Sequence, residues 1–481
     1  MSAASPSRPS APSWLTVPDD ANELLSPIWP SDAARDADGT LVVGGVSATA
    51  LAERFGTPLY VFDEDEVRAH ARRALAAFDG AASRHGTSAR VYYAGKAFLS
   101  TEVVRWVADE GLAVDVCSGG ELAVALAAGI DPARIGFHGN NKSSAELDRA
   151  VAVGVGSIVI DSLVEIERLA AVVQRRGARQ TVMIRVNSGV HAETHDFLAT
   201  AHEDQKFGFT LQDAPEIAAR IRATPGLTLV GLHCHIGSQI FGTAGFRESA
   251  ARLVEMHAAL GGLTVLNLGG GFGIAYTIAD DPTPIDDLAV GIVDAVAREC
   301  ADRGISIPRL AFEPGRAIVG RAGVTLYEVG TTKSVGLQDG ATRLYVSVDG
   351  GMSDNARPAL YGAQYSARIA SRVSPAPPTL VRVVGKHCES GDIVVDHEYL
   401  PGDVAPGDLL AVPATGAYCF SLASGYNYVP RPAVVAVRAG EARVIVRAET
   451  IDDLLARDAG AVVDPNERID MSVSSDRSES R

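Results

Sequence analysis

The sequence predicts an α/β protein in which a parallel, TIM-like (β/α)8 barrel precedes a mainly antiparallel β domain. Three observations support this architecture: eight short β-branched runs between residues 90 and 313, helical spacing between most of them, and closely spaced alternating runs after about Arg321. Strands that alternate with helices pair in parallel, and eight such units can close a barrel. An open doubly wound sheet alternates in the same way, but it usually has fewer strands.

The expected barrel strands are short apolar runs, as strands buried on both faces require. The segments between them place apolar residues on one side of a helix, as helices packed outside a barrel do. The expected strands are 90–94, 112–117, 134–138, 157–161, 181–187, 229–235, 264–269 and 309–313. The expected helices include 101–110, 120–128, 144–153, 163–175 and 286–302.

After about residue 321, short alternating strands are separated by Gly, Pro and Asp turns, which is typical of an antiparallel β domain. Residues 40–60 are also partly strand-like, so this segment could pair with the C-terminal sheet. The expected strands of the β domain are 324–329, 343–348, 379–384, 392–396, 409–413, 433–438 and 443–447.

These patterns divide the chain into five segments. Residues 1–20 and 465–481 are rich in small and polar residues and are expected to be disordered tails. Between them we expect an N-terminal segment, 21–60, that pairs with the β domain, a barrel at 61–320 and the β domain at 321–464.

The composition indicates a soluble, cytoplasmic protein. The chain has 481 residues, 47% of them hydrophobic, and a net charge of −16, which argues against nucleic-acid or anionic-membrane partners. No signal peptide opens the chain, and no apolar run reaches the roughly 18 residues of a membrane span. Five cysteines without a Cys-x-x-Cys pair argue against a disulfide framework or a zinc ribbon.

The connection at 188–207 is unusually long and polar. It contains His191, His195 and His202 among several acids. The histidines lack the fixed spacing of metal ligands, so we expect no metal there. Long loops in compact domains are usually functional or disordered, and this one is expected at the rim of an active site.

The residues with the clearest chemistry follow the expected strands. Lys96 follows the first strand, 233–239 the sixth, 269–273 the seventh and Glu313 the eighth. Because barrel active sites lie at the carboxyl ends of the strands, these residues should share one mouth. Lys96 is either a snorkelling lysine at a strand end or an amine that forms a Schiff base.

The same mouth has features that suit a flat, phosphorylated cofactor. The glycine tract 269–273 lets backbone N–H groups converge on a phosphate, and Ser238 could donate a further hydrogen bond. Glu313 is either half of a surface ion pair with Arg316 or a carboxylate that keeps a pyridine nitrogen protonated. His235 is either a core histidine or a ring that stacks on the cofactor. The sequence has no nucleotide-binding fingerprint of the P-loop or dinucleotide type.

Further candidates lie in loops of the β domain. Cys388 and Glu389 share a turn before a strand, although an isolated cysteine is usually an inert apolar residue. Arg357 lies in a polar loop and offers a planar fork for a carboxylate, although most arginines are simply solvated. Tyr418 adds an aromatic hydroxyl in a third turn.

Taken in order, these segments resemble the fold-type III pyridoxal-phosphate-dependent decarboxylases over residues 40 to 460, and their diaminopimelate branch more than their ornithine branch. The motifs are Tyr93-Ala-Gly-Lys96-Ala, Asp115-Val-Cys-Ser118-Gly-Gly-Glu121, His138-Gly-Asn-Asn-Lys142, Lys206-Phe-Gly208, His235-Ile-Gly-Ser238-Gln, Gly269-Gly-Gly-Phe-Gly273, Glu313-Pro-Gly-Arg316, Arg357-Pro-Ala-Leu-Tyr361, Cys388-Glu-Ser-Gly-Asp392 and Gly416-Ala-Tyr418.

The resemblance implies an alanine-racemase-like barrel, pyridoxal 5'-phosphate as cofactor, no metal, and a homodimer with shared active sites. The implied reaction converts meso-2,6-diaminopimelate to L-lysine and carbon dioxide, the last step of lysine biosynthesis. Lys96 and Cys388 would be catalytic, with Cys388 returning a proton to the α-carbon. The implied cofactor-binding residues are Lys96, His235, Ser238, Gly271, Glu313, Pro314, Gly315, Arg316 and Tyr418; the implied substrate-binding residues are Arg316, Arg357, Tyr361, Glu389 and Tyr418.

Three alternatives remain at this point. The chain could decarboxylate ornithine or arginine, although Arg316 and Arg357 suit a distal carboxylate that those substrates lack. An alanine racemase should place an arginine, not Glu313, at the pyridine nitrogen. A non-catalytic paralogue that binds partners should have lost Lys96 or Cys388, and both are present.

Overall fold

The computed structural model describes residues 11–190, 205–337 and 342–461. The predicted tail residues 1–10 and 465–481, and the histidines of the 188–207 connection, lie outside these ranges. Residues 11–20 contain no helix or strand. Within the described ranges, every helix is too short or too polar to cross a lipid bilayer.

The N-terminal elements form a small sheet, a helix and one longer strand. The bounds are β1 (Ala34–Arg35), β2 (Leu41–Val43), β3 (Val46–Ser47), α1 (Ala48–Phe55) and β4 (Leu59–Asp63). A three-stranded antiparallel sheet, β1 to β3, comes first. The longer strand that follows the helix, β4, is not part of this sheet and belongs to the sheet of the β domain.

The barrel elements follow in regular alternation. Their bounds are α2 (Glu64–Ser83), β5 (Ala89–Ala94), α3 (Thr101–Asp109), β6 (Ala113–Val116), α4 (Gly119–Ala127), β7 (Ile135–Phe137), α5 (Ser144–Val153), β8 (Ser157–Ile160), α6 (Leu163–Arg176), β9 (Gln180–Asn187), β10 (Phe209–Thr210), α7 (Ala214–Ala223), β11 (Leu227–His233), α8 (Ala244–Leu260), β12 (Val265–Asn267), α9 (Ile285–Asp302), β13 (Arg309–Phe312) and α10 (Arg316–Val319).

Eight of these strands form a closed parallel barrel. β5 pairs with β6 and with β13, so the first and last strands are neighbours, and β8 pairs with β9 to complete the circle. The short strand β10 adds beside β9. The predicted eight-stranded barrel is confirmed, and its strands fall within two residues of the expected positions.

Serine caps start four successive barrel helices. The hydroxyls of Ser100, Ser118, Ser143 and Ser162 accept hydrogen bonds from backbone N–H groups in the first turns of α3, α4, α5 and α6. Each bond satisfies a donor that the helix itself leaves free. These caps therefore fix the residue at which each of the four helices begins.

The β domain is one mostly antiparallel sheet that includes β4 from the N-terminal segment. β4 runs antiparallel to β14 and parallel to β20. The bounds are β14 (Gly323–Gly336), β15 (Thr342–Val348), α11 (Arg357–Tyr361), β16 (Arg368–Ile369), β17 (Pro378–Val384), β18 (Ile393–Pro401), β19 (Leu409–Pro413), β20 (Ala433–Arg438), β21 (Glu441–Val446) and α12 (Ile451–Leu455), with 3-10 turns at Pro132–Arg134, Phe420–Leu422 and Tyr426–Tyr428.

An aromatic cluster joins α2 to the last barrel strand. The Phe78 ring stacks on Phe312 of β13 with a centroid distance of 3.9 Å, and it also contacts Phe272 at 5.3 Å. All three rings are buried. Because Phe312 immediately precedes Glu313, this packing also supports the strand end that carries the site.

Phe78→Ala should lower the free energy of unfolding by about 3–5 kcal/mol, because it leaves a cavity among rings that cannot collapse to fill it. Val164 is 52% exposed on α6, and Val164→Ala should change stability by no more than about 0.5 kcal/mol. Urea unfolding followed by circular dichroism measures both. Equal effects of the two substitutions would show that Phe78 does not support the barrel.

Candidate active site

A cavity opens at the carboxyl ends of the barrel strands, with about 330 Å³ of space between the surrounding atoms. The loops that follow β5, β11, β12 and β13 meet around it, together with one turn of the β domain. Pro314 is buried beside it, and its carbonyl accepts a hydrogen bond from the Ala94 N–H at 3.2 Å. The lining residues are Ala94, Lys96, His235, Ser238, Gly271, Phe272, Glu313, Gly315, Arg316 and Tyr418.

Lys96 lies two residues beyond the end of β5, and its side chain is exposed to the cavity although the barrel surrounds it. It therefore does not snorkel along the outer surface. Burial lowers the pKa of its amine, but Tyr418, Asp115 and Glu313 raise it by more, so the pKa lies above its usual value. Burial and the nearby Glu313 raise the pKa of Asp115 well above its usual value.

The glycine loops form one wall because they approach each other too closely for side chains. A Cβ on Gly270 would lie 2.1 Å from the Glu313 carbonyl oxygen, and one on Gly271 would lie 2.5 Å from that of Gly237. Gly271 also has φ of +113°, which other residues rarely adopt. The wall is therefore made of backbone without side chains, which leaves open space for an anion beside it.

Glu313 is held by three side chains at the bottom of the cavity. Asn267 Nδ2 donates to its carboxylate at 2.7 Å, and His138 Nε2 and His233 Nε2 lie 3.3 and 3.2 Å from its two oxygens. Burial raises the pKa of Glu313, but His138, His233 and Asn267 lower it by more, to well below its usual value. Burial lowers the pKa of His138 to about 3, so this imidazole is neutral.

The ligand atoms of His138, His233 and Glu313 lie within 4.8 Å of one another, a spacing that could accommodate a metal ion. The separations of 3.2 and 3.3 Å are also those of long hydrogen bonds. Asn267, which is not a metal ligand in this arrangement, makes the shortest contact to the same carboxylate. We therefore interpret the group as a hydrogen-bond network, and the expectation of no metal stays a prediction.

His235 lines the cavity beside the glycine loop. Its Nδ1 accepts a hydrogen bond from the Gly270 N–H at 3.3 Å, which leaves the proton of the neutral ring on Nε2. Burial lowers its pKa well below the usual value. The ring is therefore fixed in one tautomer and carries no charge into the cavity.

Arg316 connects the cavity to a second aromatic group. Its Nη2 donates to Ser238 Oγ at 2.9 Å, and its Nη1 donates to the Tyr276 hydroxyl. Its guanidinium carbon lies 4.7 Å from the centre of the Tyr418 ring. Tyr418 has φ of +63°, a conformation that strains an aromatic residue and that proteins retain mainly at functional positions.

Arg357, at the start of α11, also contacts Tyr276. Its guanidinium carbon is 4.7 Å from the centre of that ring, and its Nη1 donates to the Tyr365 hydroxyl at 2.6 Å. Arg316 and Arg357 are 8% and 5% exposed. Within the described ranges, no acidic side chain forms an ion pair with either arginine. Two buried guanidinium groups therefore lie beside the cavity without a counter-charge.

Five predicted site residues lie outside the cavity lining. Pro314 and Arg357 are buried, whereas Cys388, Glu389 and Tyr361 are exposed. The Cys388 N–H donates to Asn427 Oδ1 at 3.1 Å. The loop is anchored by the buried Asp392 carboxylate, which accepts hydrogen bonds from the His387 and Met352 N–H groups at 2.8 and 2.6 Å. The fold thus presents the three exposed side chains on an ordered surface, away from the chain's own cavity.

The sequence interpretation gave no role to five residues that shape this site. They lie at strand ends or in connecting loops, where position is their main signal. His138, His233 and Asn267 end or follow β7, β11 and β12, and Tyr276 follows the glycine tract. The missed residues are His138, His233, Asn267, Tyr276 and Tyr365.

Residues 64–320 match the family model of the pyridoxal-dependent decarboxylases, pyridoxal binding domain. The chain is 53% identical over 449 residues to a diaminopimelate decarboxylase from Mycobacterium tuberculosis, with 90% of this chain and 99% of that protein covered. The chain belongs to the diaminopimelate decarboxylase family. A second relative, from Bacillus subtilis, is 45% identical and covers 87% of this chain and 95% of its own length.

Solved structures of diaminopimelate decarboxylases have the same fold. The one from M. jannaschii, in complex with L-lysine, superposes with a TM-score of 0.83 at 31% identity, covering 91% of this chain and 99% of its own. The one from Helicobacter pylori, also with L-lysine, gives a TM-score of 0.76 at 29% identity and covers 85% and 98%. The barrel and the β domain are therefore shared with other diaminopimelate decarboxylases.

The cavity fits a pyridoxal cofactor, after which the matching family model is named. A pyridoxal cofactor presents an aldehyde, a ring nitrogen and a phosphate, and the protein must place complementary groups around each. The described residues offer an amine at Lys96, an ionised carboxylate at Glu313, and a backbone wall at 269–271 with Ser238 and Arg316 beside it. These groups surround one space of suitable chemistry.

The neutral state of His138 predicts how acid destabilises the cofactor-free protein. Its pKa is about 3 in the fold against 6.5 as the ordinary value, so protonation favours unfolding and stability is lost as pH falls below 6.5. The loss approaches about 1.4 kcal/mol per pH unit. His138→Gln removes this titration, so the variant should lose about 1–2 kcal/mol less than the native protein between pH 6.5 and about pH 5.

Urea unfolding of the cofactor-free proteins at several pH values measures this difference. Val164→Ala is the control, since it removes no titrating group and should follow the native pH profile. If His138→Gln and the native protein lose stability in parallel, His138 is already protonated in the fold.

Proposed function

We propose that this chain decarboxylates meso-2,6-diaminopimelate to L-lysine and carbon dioxide, with pyridoxal 5'-phosphate as cofactor. The observation that carries the proposal is the pair of buried, unpaired guanidinium groups of Arg316 and Arg357 beside a cavity that contains Lys96 and Glu313. Buried cations without partners are costly unless a ligand neutralises them. Diaminopimelate brings a distal carboxylate to this position, whereas ornithine and arginine do not.

Lys96 and Glu313 have the central roles in cofactor binding. The amine of Lys96 would hold the cofactor at its aldehyde end, and Glu313 would hold a proton at the ring nitrogen. When bound, pyridoxal phosphate supplies a protonated ring that accepts the electrons of the broken carbon–carboxylate bond. His235 would contact the ring; the remaining residues that would hold the cofactor are Ser238, Gly271, Pro314, Gly315, Arg316 and Tyr418.

The substrate's distal end is bound by Arg316 and Arg357, with Tyr361, Glu389 and Tyr418 around it. A planar guanidinium offers paired N–H donors to a carboxylate, and burial strengthens that bond. Glu389 supplies a negative charge for the distal amine, which makes the subsite specific for an amino acid and not for a simple acid.

Cys388 Sγ donates a proton to the α-carbon after carbon dioxide leaves. In this chain Cys388, Glu389 and Tyr361 are exposed and lie outside the cavity lining, so a second copy of the chain is needed to bring them to the substrate. We therefore propose a homodimer with two shared active sites. The exposed rings of Tyr426 and Tyr428, next to the Asn427 contact of Cys388, support an interface here.

All five cysteines lie in the described ranges and are free thiols. Free thiols persist in a reducing compartment, which supports the proposal that the enzyme acts in the cytoplasm.

Purified protein supplied with pyridoxal phosphate should release carbon dioxide and L-lysine from meso-diaminopimelate. Turnover on L-ornithine and L-arginine should be lower by about 10³-fold or more, because the two arginines are then left buried and unpaired. Lys96→Ala is the control and should release no product. Carbon dioxide from ornithine but not from diaminopimelate would refute the proposed substrate.

Shared sites can be tested by mixing two inactive variants. Cys388→Ala alone should reduce turnover by about 10²–10⁴-fold, the usual value of a general acid, and Lys96→Ala should be inactive. A mixed dimer contains one site in which both residues are intact. Refolding equal amounts together should therefore restore about a quarter of native activity.

The control is each variant refolded alone. If differently tagged subunits form mixed dimers but activity does not return, Lys96 and Cys388 do not meet across the interface.

A further inference from the structure

The two buried arginines share one aromatic neighbour. The Tyr276 hydroxyl accepts a hydrogen bond from Arg316 Nη1, and the same ring faces the Arg357 guanidinium at 4.7 Å. The Arg316 guanidinium carbon also lies 5.6 Å from the ring centre. Tyr276 therefore contacts two positive charges, one through its hydroxyl and the other through its ring.

Tyr276 is itself firmly held. Its N–H donates to Asp280 Oδ2 at 2.9 Å, and its carbonyl accepts from Ser366 Oγ at 3.3 Å. The Tyr365 ring packs edge-on against it with a centroid distance of 5.1 Å. With 5% of its surface exposed, Tyr276 has little freedom to move. Whatever it contacts is held at a fixed position.

A tyrosine has physical properties that suit this position. Two like charges repel each other strongly at low dielectric, and an aromatic face or a hydroxyl oxygen offsets part of that cost. An acidic residue would offset more, but it would neutralise the arginines and compete with an anionic ligand. An aliphatic residue would offer neither contact. Tyrosine stabilises both cations and leaves their outer N–H donors free.

The contacts also form a continuous path from the cofactor end of the cavity to the distal subsite. Ser238 Oγ accepts from Arg316, Arg316 donates to Tyr276, and Tyr276 faces Arg357. The position of Arg357 relative to Arg316 therefore depends on the Tyr276 ring as well as on the hydrogen bond from Arg357 to Tyr365. A substrate whose distal carboxylate lies at a different distance from its reacting end does not fit both arginines.

We propose that Tyr276 is a specificity-determining residue, which contacts both Arg316 and Arg357, fixes their relative positions and thereby selects amino acids with a distal carboxylate at one chain length. This inference rests on the proposed decarboxylation of diaminopimelate. Tyr276 acts through the two arginines and touches no reacting atom, so it is a positioning residue.

The test uses two inhibitors that differ only in the distal carboxylate, L-lysine and 1,5-diaminopentane. Inhibition constants are measured against meso-diaminopimelate in the native holoenzyme, Tyr276→Phe and Tyr276→Leu. Tyr276→Leu should weaken inhibition by L-lysine and raise KM for diaminopimelate by about 10–100-fold, because both contacts to the arginines are lost. Inhibition by 1,5-diaminopentane should change by less than about 3-fold, and kcat should change little.

Tyr276→Phe keeps the ring and loses the hydroxyl, so L-lysine inhibition should weaken by only about 3–10-fold. This conservative variant tests the inference even if Tyr276→Leu does not fold. Tyr345→Leu is the matched control, because Tyr345 also faces an arginine, Arg382 at 6.0 Å, but lies in the β domain away from the cavity. It should leave both inhibition constants unchanged.

Equal weakening of both inhibitors, or no change in Tyr276→Phe and Tyr276→Leu, would overturn the role assigned to Tyr276. The native enzyme distinguishes this failure from failure of the proposed function. If native protein releases no carbon dioxide from diaminopimelate, the proposed reaction is wrong. If it does, and the preference for L-lysine is the same in the variants, only the inference about Tyr276 is wrong.

Discussion

The closure of eight parallel strands into a barrel is the constraint on which the site depends. Because β13 pairs with β5, the loop that carries Lys96 and the one that carries Glu313 are neighbours although they lie at opposite ends of the barrel sequence. Parallel pairing sends every strand's carboxyl end to the same rim. The glycine loop after β12 completes this rim, and its backbone approaches the Glu313 carbonyl so closely that no side chain fits between.

Charge is distributed unevenly around the cavity, and the distribution matches the proposed chemistry. At the bottom, His138, His233 and the Asn267 amide surround Glu313 and lower the pKa of its carboxyl well below the usual value. At the side, Arg316 and Arg357 have aromatic rather than acidic neighbours. The pocket thus offers a carboxylate for a ring nitrogen and two guanidinium groups for carboxylate or phosphate groups.

The β domain contributes to the site in two ways: some of its residues lie at the chain's own cavity, and others lie outside it. Its Tyr418 turn and its Arg357 helix complete the chain's own cavity region, and the Tyr418 N–H donates to the Ala97 carbonyl at 2.8 Å to fix the turn beside Lys96. The Cys388 loop instead faces outward on a buried Asp392 anchor. A loop that is ordered yet directed away from its own cavity is suited to serve a second copy of the chain, since its shape does not depend on contact with that partner.

The sequence by itself determined the strand pattern of the barrel and the presence of a separate, mostly antiparallel β domain. Both depend on local signals: β-branched runs, helical spacing between them, and Gly, Pro and Asp turns. Strand extent in the β domain was less well predicted, since β14 runs on to Gly336 and β18 to Pro401. Polar residues on the solvent face of a twisted sheet look like loop residues in the sequence.

Only the tertiary structure decided which side chains support the charged groups of the site. His138, His233 and Asn267 surround Glu313 from different strands, and Tyr276 contacts two arginines that are distant in the chain. It also decided that Cys388 lies outside the cavity of its own chain. These relations depend on barrel closure and on packing between distant loops. Spacing along a sequence does not encode them, because neighbours across a barrel have no fixed separation in the chain.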